Sequence, residues 1–253
     1  MSLTVVIPSR ALTGLLRQCL SSLEDAAAFA AIEGLRVVVV DNASPVPYRR
    51  AELTTDLDLK LLRFDTPRSF SRACNAGARV GDEAAPLLFL NNDVLLHRRA
   101  LVDLFATAQS YRATVSGARL VYPDDTIQHC GVLFDSGDRG PYHHLHRVPS
   151  HLVPRRPRVL QAVTGACLLV DRALFDRLDG FDEGFPFAYE DIDFCLRARQ
   201  TGATVVCAQM VDSIHLQGSS RDERAFALER QSRVMFFARW RGRFNIDGSV
   251  EDK

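Results

Sequence analysis

Leu35-Arg36-Val37-Val38-Val39-Val40-Asp41-Asn42-Ala43-Ser44 decides the fold. An unbroken β-branched run suits a strand buried on both faces, and the chain turns polar abruptly at Asp41. Two other apolar runs end the same way: residues 3–7 stop at Pro8, and residues 86–90 stop at Asn91-Asn92-Asp93. Between them, Leu12, Leu15, Leu16, Leu20 and Leu23 give residues 12–28 helical spacing. Residues 59–64 read as a further strand, and 70–80 and 98–111 as helices. Strands alternating with helices predict an α/β fold, a mostly parallel Rossmann-like sheet flanked by helices. Ligands of such sheets bind at the carboxyl ends of the strands. Those ends carry Pro8-Ser9-Arg10, Asp41-Asn42-Ala43-Ser44 and Asn91-Asn92-Asp93.

The second half is less regular. Strands are expected over 114–121, 127–134 and 204–208, with helices over 172–178 and 222–241. Apolar strand material at 159–170 is interrupted by Thr164-Gly165-Ala166. Residues 135–157, rich in Gly, Pro, His and Arg, are the expected mobile lid. Neither a repeat nor a low-complexity linker divides the chain. The expectation is one domain over 1–253, nucleotide-binding over about 1–111 and supplying something else over about 112–253.

The 31 Lys and Arg balance 31 Asp and Glu, so no general affinity for nucleic acid follows. The six cysteines are widely spaced without a zinc pattern, which suggests reduced core thiols in a cytosolic protein. A signal peptide is not evident at the start, and no apolar run approaches the ~20 residues that span a bilayer. A cytoplasmic location is expected, and one reading adds contact at the inner face of the membrane. That contact would come from the last helix, where Phe236, Phe237 and Trp240 lie beside Arg233, Arg239, Arg241 and Arg243. The competing reading packs these aromatics on the core.

Tyr189-Glu190-Asp191-Ile192-Asp193-Phe194-Cys195-Leu196-Arg197 places three carboxylates where a Gly/Pro-rich loop becomes an amphipathic helix. They could simply favour the positive end of the helix dipole. Asp41 is a good turn former, yet a carboxylate at a strand end can also accept from a base or ribose. Asn91, Asn92 and Asp93 suit either a turn or a hard cation such as Mg2+ or Mn2+. His215 reads as a structural histidine or as a neutral ligand to the same ion. The following Gln217-Gly218-Ser219-Ser220-Arg221 has hydroxyls and an Arg suited to diphosphate.

The order of these segments resembles the family-2 glycosyltransferases of the GT-A fold, most closely a rhamnosyltransferase-like branch. The resemblance runs from residue 3 to about 240. It is carried by Val5-Val6-Ile7-Pro8-Ser9-Arg10, Val38-Val39-Val40-Asp41-Asn42-Ala43-Ser44, Asn75-Ala76-Gly77 and Phe89-Leu90-Asn91-Asn92-Asp93. It continues through Thr164-Gly165-Ala166-Cys167-Leu168-Leu169-Val170, Gly180-Phe181-Asp182-Glu183, the 189–197 stretch and His215-Leu216-Gln217-Gly218-Ser219-Ser220. It implies a nucleoside pocket of Pro8, Ser9, Arg10, Asp41 and Ser44, with Asp41 on the base and Arg72 and Asn75 near base or phosphates. Asn91-Asn92-Asp93 stands where the family has Asp-x-Asp, so Asp93 and His215 would hold the metal and Asn91 would touch sugar or ribose. Asp191 would be the catalytic base, with Glu190 adjacent. Asn91 departs from the family's Asp and lacks the charge to hold a cation strongly, so the metal would lean on the diphosphate.

The implied reaction is inverting transfer from dTDP-rhamnose or a UDP-hexose to a hydroxyl of a cell-surface glycan or lipid-linked acceptor. A non-catalytic nucleotide- or sugar-binding module is a second reading, and it would tolerate loss of the base and metal residues. A sugar nucleotidyltransferase is a third. It would need a Gly-rich, basic loop after the first strand, of which Ser9-Arg10-Ala11-Leu12-Thr13-Gly14 is a poor version.

Overall fold

The structure is a computed structural model that describes residues 1–53, 55–135, 140–216 and 223–247, without the side chains of 223 and 224. Its first half alternates β1 (Ser2–Ser9), α1 (Thr13–Phe29), β2 (Gly34–Asn42), β3 (Asp58–Phe64), α2 (Phe70–Val80), β4 (Leu87–Leu90), β5 (Val94–Leu95) and α3 (Ala100–Tyr111). The second half contributes β6 (Val115–Val121), β7 (Ile127–His129), β8 (Val132–Phe134), β9 (Pro141–His143), β10 (Arg158–Leu160) and β11 (Cys167–Val170). It ends with α4 (Arg172–Arg177), α5 (Glu190–Gln200), β12 (Val205–His215) and α6 (Glu223–Trp240).

Among the described residues the main sheet runs β10-β12-β6-β11-β4-β1-β2-β3. β4, β1, β2 and β3 are mutually parallel, and β6 and β12 pair in parallel beyond an antiparallel β11. Chain order reverses at β1, which lies between β2 and β4, so the ligand crevice is expected outside Ser9 and Leu90. Alternation along the central strands feeds two cores. Val6, Val38, Val40 and Phe89 pack beneath α2, α4 and α5, while Val5, Ile7, Val37 and Val39 pack beneath α1 and α3. At Gly77 on α2 a Cβ would lie 2.4 Å from Val6 Cγ1, so the helix backbone itself rests on the sheet.

Three expectations are corrected. The strand read over 127–134 is two strands, because Gly131 takes φ 123° and sends β8 to pair with β9 while β7 stays on β6. The lid read over 135–157 is packed where it is described. Fully buried Arg119 on β6 donates to the carbonyls of Ser150, Val153 and Pro154 and stands 2.6 Å from Asp212. Residues 136–139 lie outside the described residues. The last strand runs on to His215 because β12 leaves register between Ala208 and Ser213, an excursion that interrupts its apolar pattern and carries Asp212.

Of the two readings of the α6 aromatics, packing on the core is the one the structure shows. Phe236 and Trp240 are buried, with Phe236 against Tyr189 and Phe244. Trp240 Nε1 donates to Asp193 Oδ1 at 2.9 Å, and the same fully buried carboxylate pairs with Arg197 and Arg239, each at 2.7 Å. Arg239 also reaches Asp182 at 2.6 Å, tying α6 to the loop before α5. No helix of the described residues is long and apolar enough to cross a membrane. Asp193→Ala leaves Arg197 Nε and the indole N–H without their acceptor, so a loss of about 3 kcal/mol is expected, read as a lower urea midpoint at unchanged slope. An unchanged midpoint contradicts this hub.

Candidate functional site

A cavity of about 810 Å3 opens at the reversal point, lined by Pro8, Ser9 and Arg10 after β1 and by Asn91, Asn92 and Asp93 after β4. Arg68, just before α2, and Phe70 and Arg72 in its first turn close one side. Glu183, Gly184, Pro186 and Phe187 face them, with His215 and the α6 residues Ala225 and Leu228. Thus Pro8, Ser9, Arg10, Arg72, Asn91, Asn92, Asp93 and His215, singled out from sequence, share one cavity. Arg221 lies outside the described residues.

The strand ends are laced together by side chains. Asn92 Nδ2 donates to Ser9 Oγ at 2.8 Å, and Ser9 Oγ meets the Tyr48 hydroxyl at 2.7 Å. Asp41 sits one layer behind the wall. It accepts from the amides of Ser44 (2.9 Å) and Tyr48 (3.3 Å) and pairs with Arg63. Burial pushes this carboxyl up, but the Ser44 bonds and Arg63 outweigh it and hold the group below the usual carboxylate range. Ser44 Oγ accepts from Ala11 N at 3.0 Å, which fixes the loop after β1. Ala11 and Ala43, at φ 59° each, make the left-handed turns that bring these loops together.

Asn75, expected beside base or phosphates, is off the cavity wall. Its amide clasps both backbone groups of Phe181 and donates to Glu183 Oε1 at 3.1 Å, so it reaches the cavity through Glu183. Glu183 in turn pairs with Arg72 at 3.3 Å across the mouth.

Asp93 and His215 come together because β5 pairs with the end of β12, Val94 opposite His215. Asp93 Oδ1 stands 3.1 Å from His215 Nε2, and Asn91 Nδ2 lies 3.4 Å from the same nitrogen. The other ring nitrogen, Nδ1, is held by Gln128 Oε1 from β7. Adjacent corners of an octahedral Mg2+ or Mn2+ shell stand about 3 Å apart, so one carboxylate oxygen and one imidazole nitrogen at this separation fit such an ion. Among the described residues no third His, Cys, Asp or Glu joins them, which leaves the remaining positions to water and phosphate.

The acidic pair opens α5. Ala188 and Tyr189 both take positive φ, 61° and 70°, a costly turn that delivers Glu190 and Asp191 to the first helical turn. Asp191 Oδ2 accepts from Gly165 N at 2.7 Å and Oδ1 from Ile192 N at 2.8 Å. A Cβ built on Gly165 would meet Asp191 Cβ at 3.1 Å and the cavity-lining Phe70 at 3.5 Å, so Asp191 stands just behind Phe70. Burial pushes Asp191 above the usual carboxylate range, with the Gly165 and Ile192 amides pulling back. Glu190 is pushed up to about 8, first by burial and then by the Asp191 charge, and its Oε2 finds no partner among the described residues.

The folded Glu190 carboxyl therefore holds its proton more tightly than the unfolded one. Its contribution to stability is complete below its ordinary 4.5 and is lost as pH rises through about 8. Glu190→Gln should raise Tm relative to the native chain at pH ~9 and lose that advantage towards pH ~4. Equal melting at both pH values contradicts the raised value.

Sequence reasoning missed Gln128, His129, Tyr48 and Arg63. Buried His129, beside Gln128, accepts from Thr164 N at 3.2 Å and so steadies the loop whose Gly165 amide holds Asp191. Burial, then His143 and His215, keep this imidazole neutral. Nothing in the spacing of Ile127-Gln128-His129 marks these roles.

The model of glycosyl transferase family 2 matches residues 4–178. O-antigen biosynthesis protein RfbC of Myxococcus xanthus is 30% identical over 247 residues, 94% of this chain but only 19% of that protein. Low-salt glycan biosynthesis hexosyltransferase Agl10 of Haloferax volcanii is 25% identical over 227 residues, 85% of this chain and 68% of its own length. Among solved structures, GalNAc-T7 with UDP, GalNAc and Mn2+ superposes with a TM-score of 0.60 at 14% identity, over 87% of this chain and 44% of that one. That likeness shows a GT-A fold. With the family model covering β1 and β4, whose ends carry the crevice, and more than half of the chain, the chain belongs to glycosyl transferase family 2.

Proposed function

We propose that this chain is a metal-dependent inverting glycosyltransferase that moves a sugar from a nucleoside diphosphate sugar to an acceptor hydroxyl. The observation that carries the reading is the Asp93–His215 pair, 3.1 Å apart at the reversal point, with a second carboxylate, Asp191, presented by a different element behind Phe70. Pro8, Ser9 and Arg10 form the nucleoside end, with Asp41 and Ser44 bracing their loop from behind rather than touching the base, and Arg72 and Arg221 are assigned to the diphosphate. Asn91 contacts sugar or ribose, while Asn92 braces Ser9. Asn75 acts by holding Glu183. RfbC is named for O-antigen biosynthesis and Agl10 as a glycan biosynthesis hexosyltransferase, which supports transfer to a cell-surface glycan or lipid-linked acceptor. The donor is dTDP-rhamnose or a UDP-hexose, a reading that rests on the sequence resemblance.

Asp93 and His215 would hold Mg2+ or Mn2+, which when bound neutralises charge gathering on the leaving diphosphate. The chain's own groups do the rest. Asp191 takes the proton from the acceptor hydroxyl as its oxygen attacks the anomeric carbon, and the bond to the diphosphate oxygen breaks on the opposite face. Its raised proton affinity makes it a better base than an exposed carboxylate. The Gly165 and Ile192 amides keep it from swinging away. Arg72 counters charge at the leaving side.

The test is nucleoside diphosphate release from a donor panel in Mn2+, with and without acceptor, alongside product analysis. Acceptor-dependent release with an inverted anomeric centre is expected. Full transfer in excess EDTA removes the metal, and release that ignores acceptor removes the transferase.

A further inference from the structure

Gln128 lies outside every segment that carries the family resemblance, yet it makes two contacts to one residue of the cavity. Its Nε2 donates to the His215 backbone carbonyl at 3.3 Å, and its Oε1 faces His215 Nδ1. The first contact orients the second, because a flipped amide would set two carbonyl oxygens against each other and its NH2 against the ring. Oε1 is an acceptor only, so Nδ1 must carry the ring hydrogen, and the lone pair of a neutral His215 is then at Nε2. Asn91 Nδ2, 3.4 Å from Nε2, points a donor at that same lone pair.

The backbone is built to deliver this side chain. On β6 the pairing steps from Leu120 to Val121 while β7 steps from His129 to Ile127, so Gln128 is the extra residue of a β-bulge. Bulges re-aim side chains beside active sites. Gln128 is itself buried, and its amide holds His215 from behind, on the side away from the cavity.

We propose that Gln128 is a positioning residue that locks His215 in the Nδ1–H tautomer and so presents the Nε2 lone pair, beside Asp93, to a divalent cation. Free neutral imidazole side chains favour the opposite tautomer. Without Gln128 the ring would donate Nε2–H to Asp93 Oδ1 at 3.1 Å, and that hydrogen bond would occupy both metal-binding atoms at once. Histidine ligands elsewhere are held by a second hydrogen bond of this kind, and losing it costs ten- to a hundredfold in metal affinity. This inference rests on the proposed metal role of Asp93 and His215.

Two readouts test it on the whole chain. Nitrogen-15 NMR of the metal-free protein, recorded at a pH high enough for the neutral ring and with His215 assigned by its loss in His215→Ala, should show a protonated Nδ1 and a bare Nε2. The pattern should reverse in Gln128→Leu, which keeps the volume and removes the acceptor. Titration with Mn2+ alone, followed by water-proton relaxation, should weaken about ten- to a hundredfold in Gln128→Leu and recover towards the native value in Gln128→Glu. A bare Nδ1 in the native protein overturns the proposal without any variant. So does native Mn2+ affinity in a folded Gln128→Leu when Asp93→Ala has lost it. Should the native chain ignore Mn2+, or Asp93→Ala bind it unchanged, the metal reading itself fails and the proposal falls with it.

Discussion

Asp191→Asn is expected to bind donor and metal as the native chain does and to lose on the order of a hundredfold or more in turnover. The substitution keeps the shape at the start of α5 and removes the proton acceptor. It also sets an amide NH2 against either Gly165 N–H or Ile192 N–H, both of which now donate to the carboxylate. A modest stability loss of about 1–3 kcal/mol is therefore expected alongside the kinetic one. Donor affinity measured by calorimetry on the same preparation separates the two effects. Glu190 is the rival base: it is buried, its proton is held up to about 8, and one oxygen lacks a partner among the described residues. Near-native transfer by Asp191→Asn together with a dead Glu190→Gln assigns the role to Glu190.

The second large effect is expected at Asp93. Among the described residues Asp93→Ala leaves His215 Nε2 with only the Asn91 amide nearby, 3.4 Å away, and removes the one negative charge of the pair. Because residue 91 is Asn, no neighbouring carboxylate in the 91–93 turn can substitute for it. Metal-dependent donor affinity should fall below detection, and excess chelator should reproduce the defect in the native chain. Donor affinity that survives both treatments would place the diphosphate on arginines alone.

The centre of the parallel sheet was readable because β1, β2 and β4 are buried on both faces, which forces continuous apolar runs ending abruptly in polar residues. Val37–Val40 and Leu87–Leu90 are such runs, but their place in the sheet, and with it the reversal point, is set by the pairing of β1 with both β2 and β4, which the sequence does not show. What stayed hidden depends on backbone detail that side-chain type does not encode. β7 is three residues long with a bulge at Gln128, too short and irregular for any period to show. Tyr48 acts through a loop hydroxyl, and Ala11, Ala43, Ala188 and Tyr189 take left-handed conformations that alanine and tyrosine do not advertise. The lid expectation failed for a related reason. Composition around 140–157 is loop-like, but a buried Arg119 from a distant strand pins the segment. In α6 the run of Phe and Arg admitted either a membrane or a core, and Asp193 on another helix decided for the core.

Thermal melting against a panel of nucleoside diphosphate sugars, in Mn2+ and in EDTA, tests the central claim most directly. A ligand that binds only the folded state at a hundred times its Kd adds about 2.7 kcal/mol, a shift of several degrees. At least one nucleotide sugar should raise Tm in Mn2+, with the gain absent in EDTA and in Asp93→Ala. If no nucleotide sugar shifts Tm, or if the shift is the same without the cation and without Asp93, the crevice between β1 and β4 is not the metal-assisted donor site described.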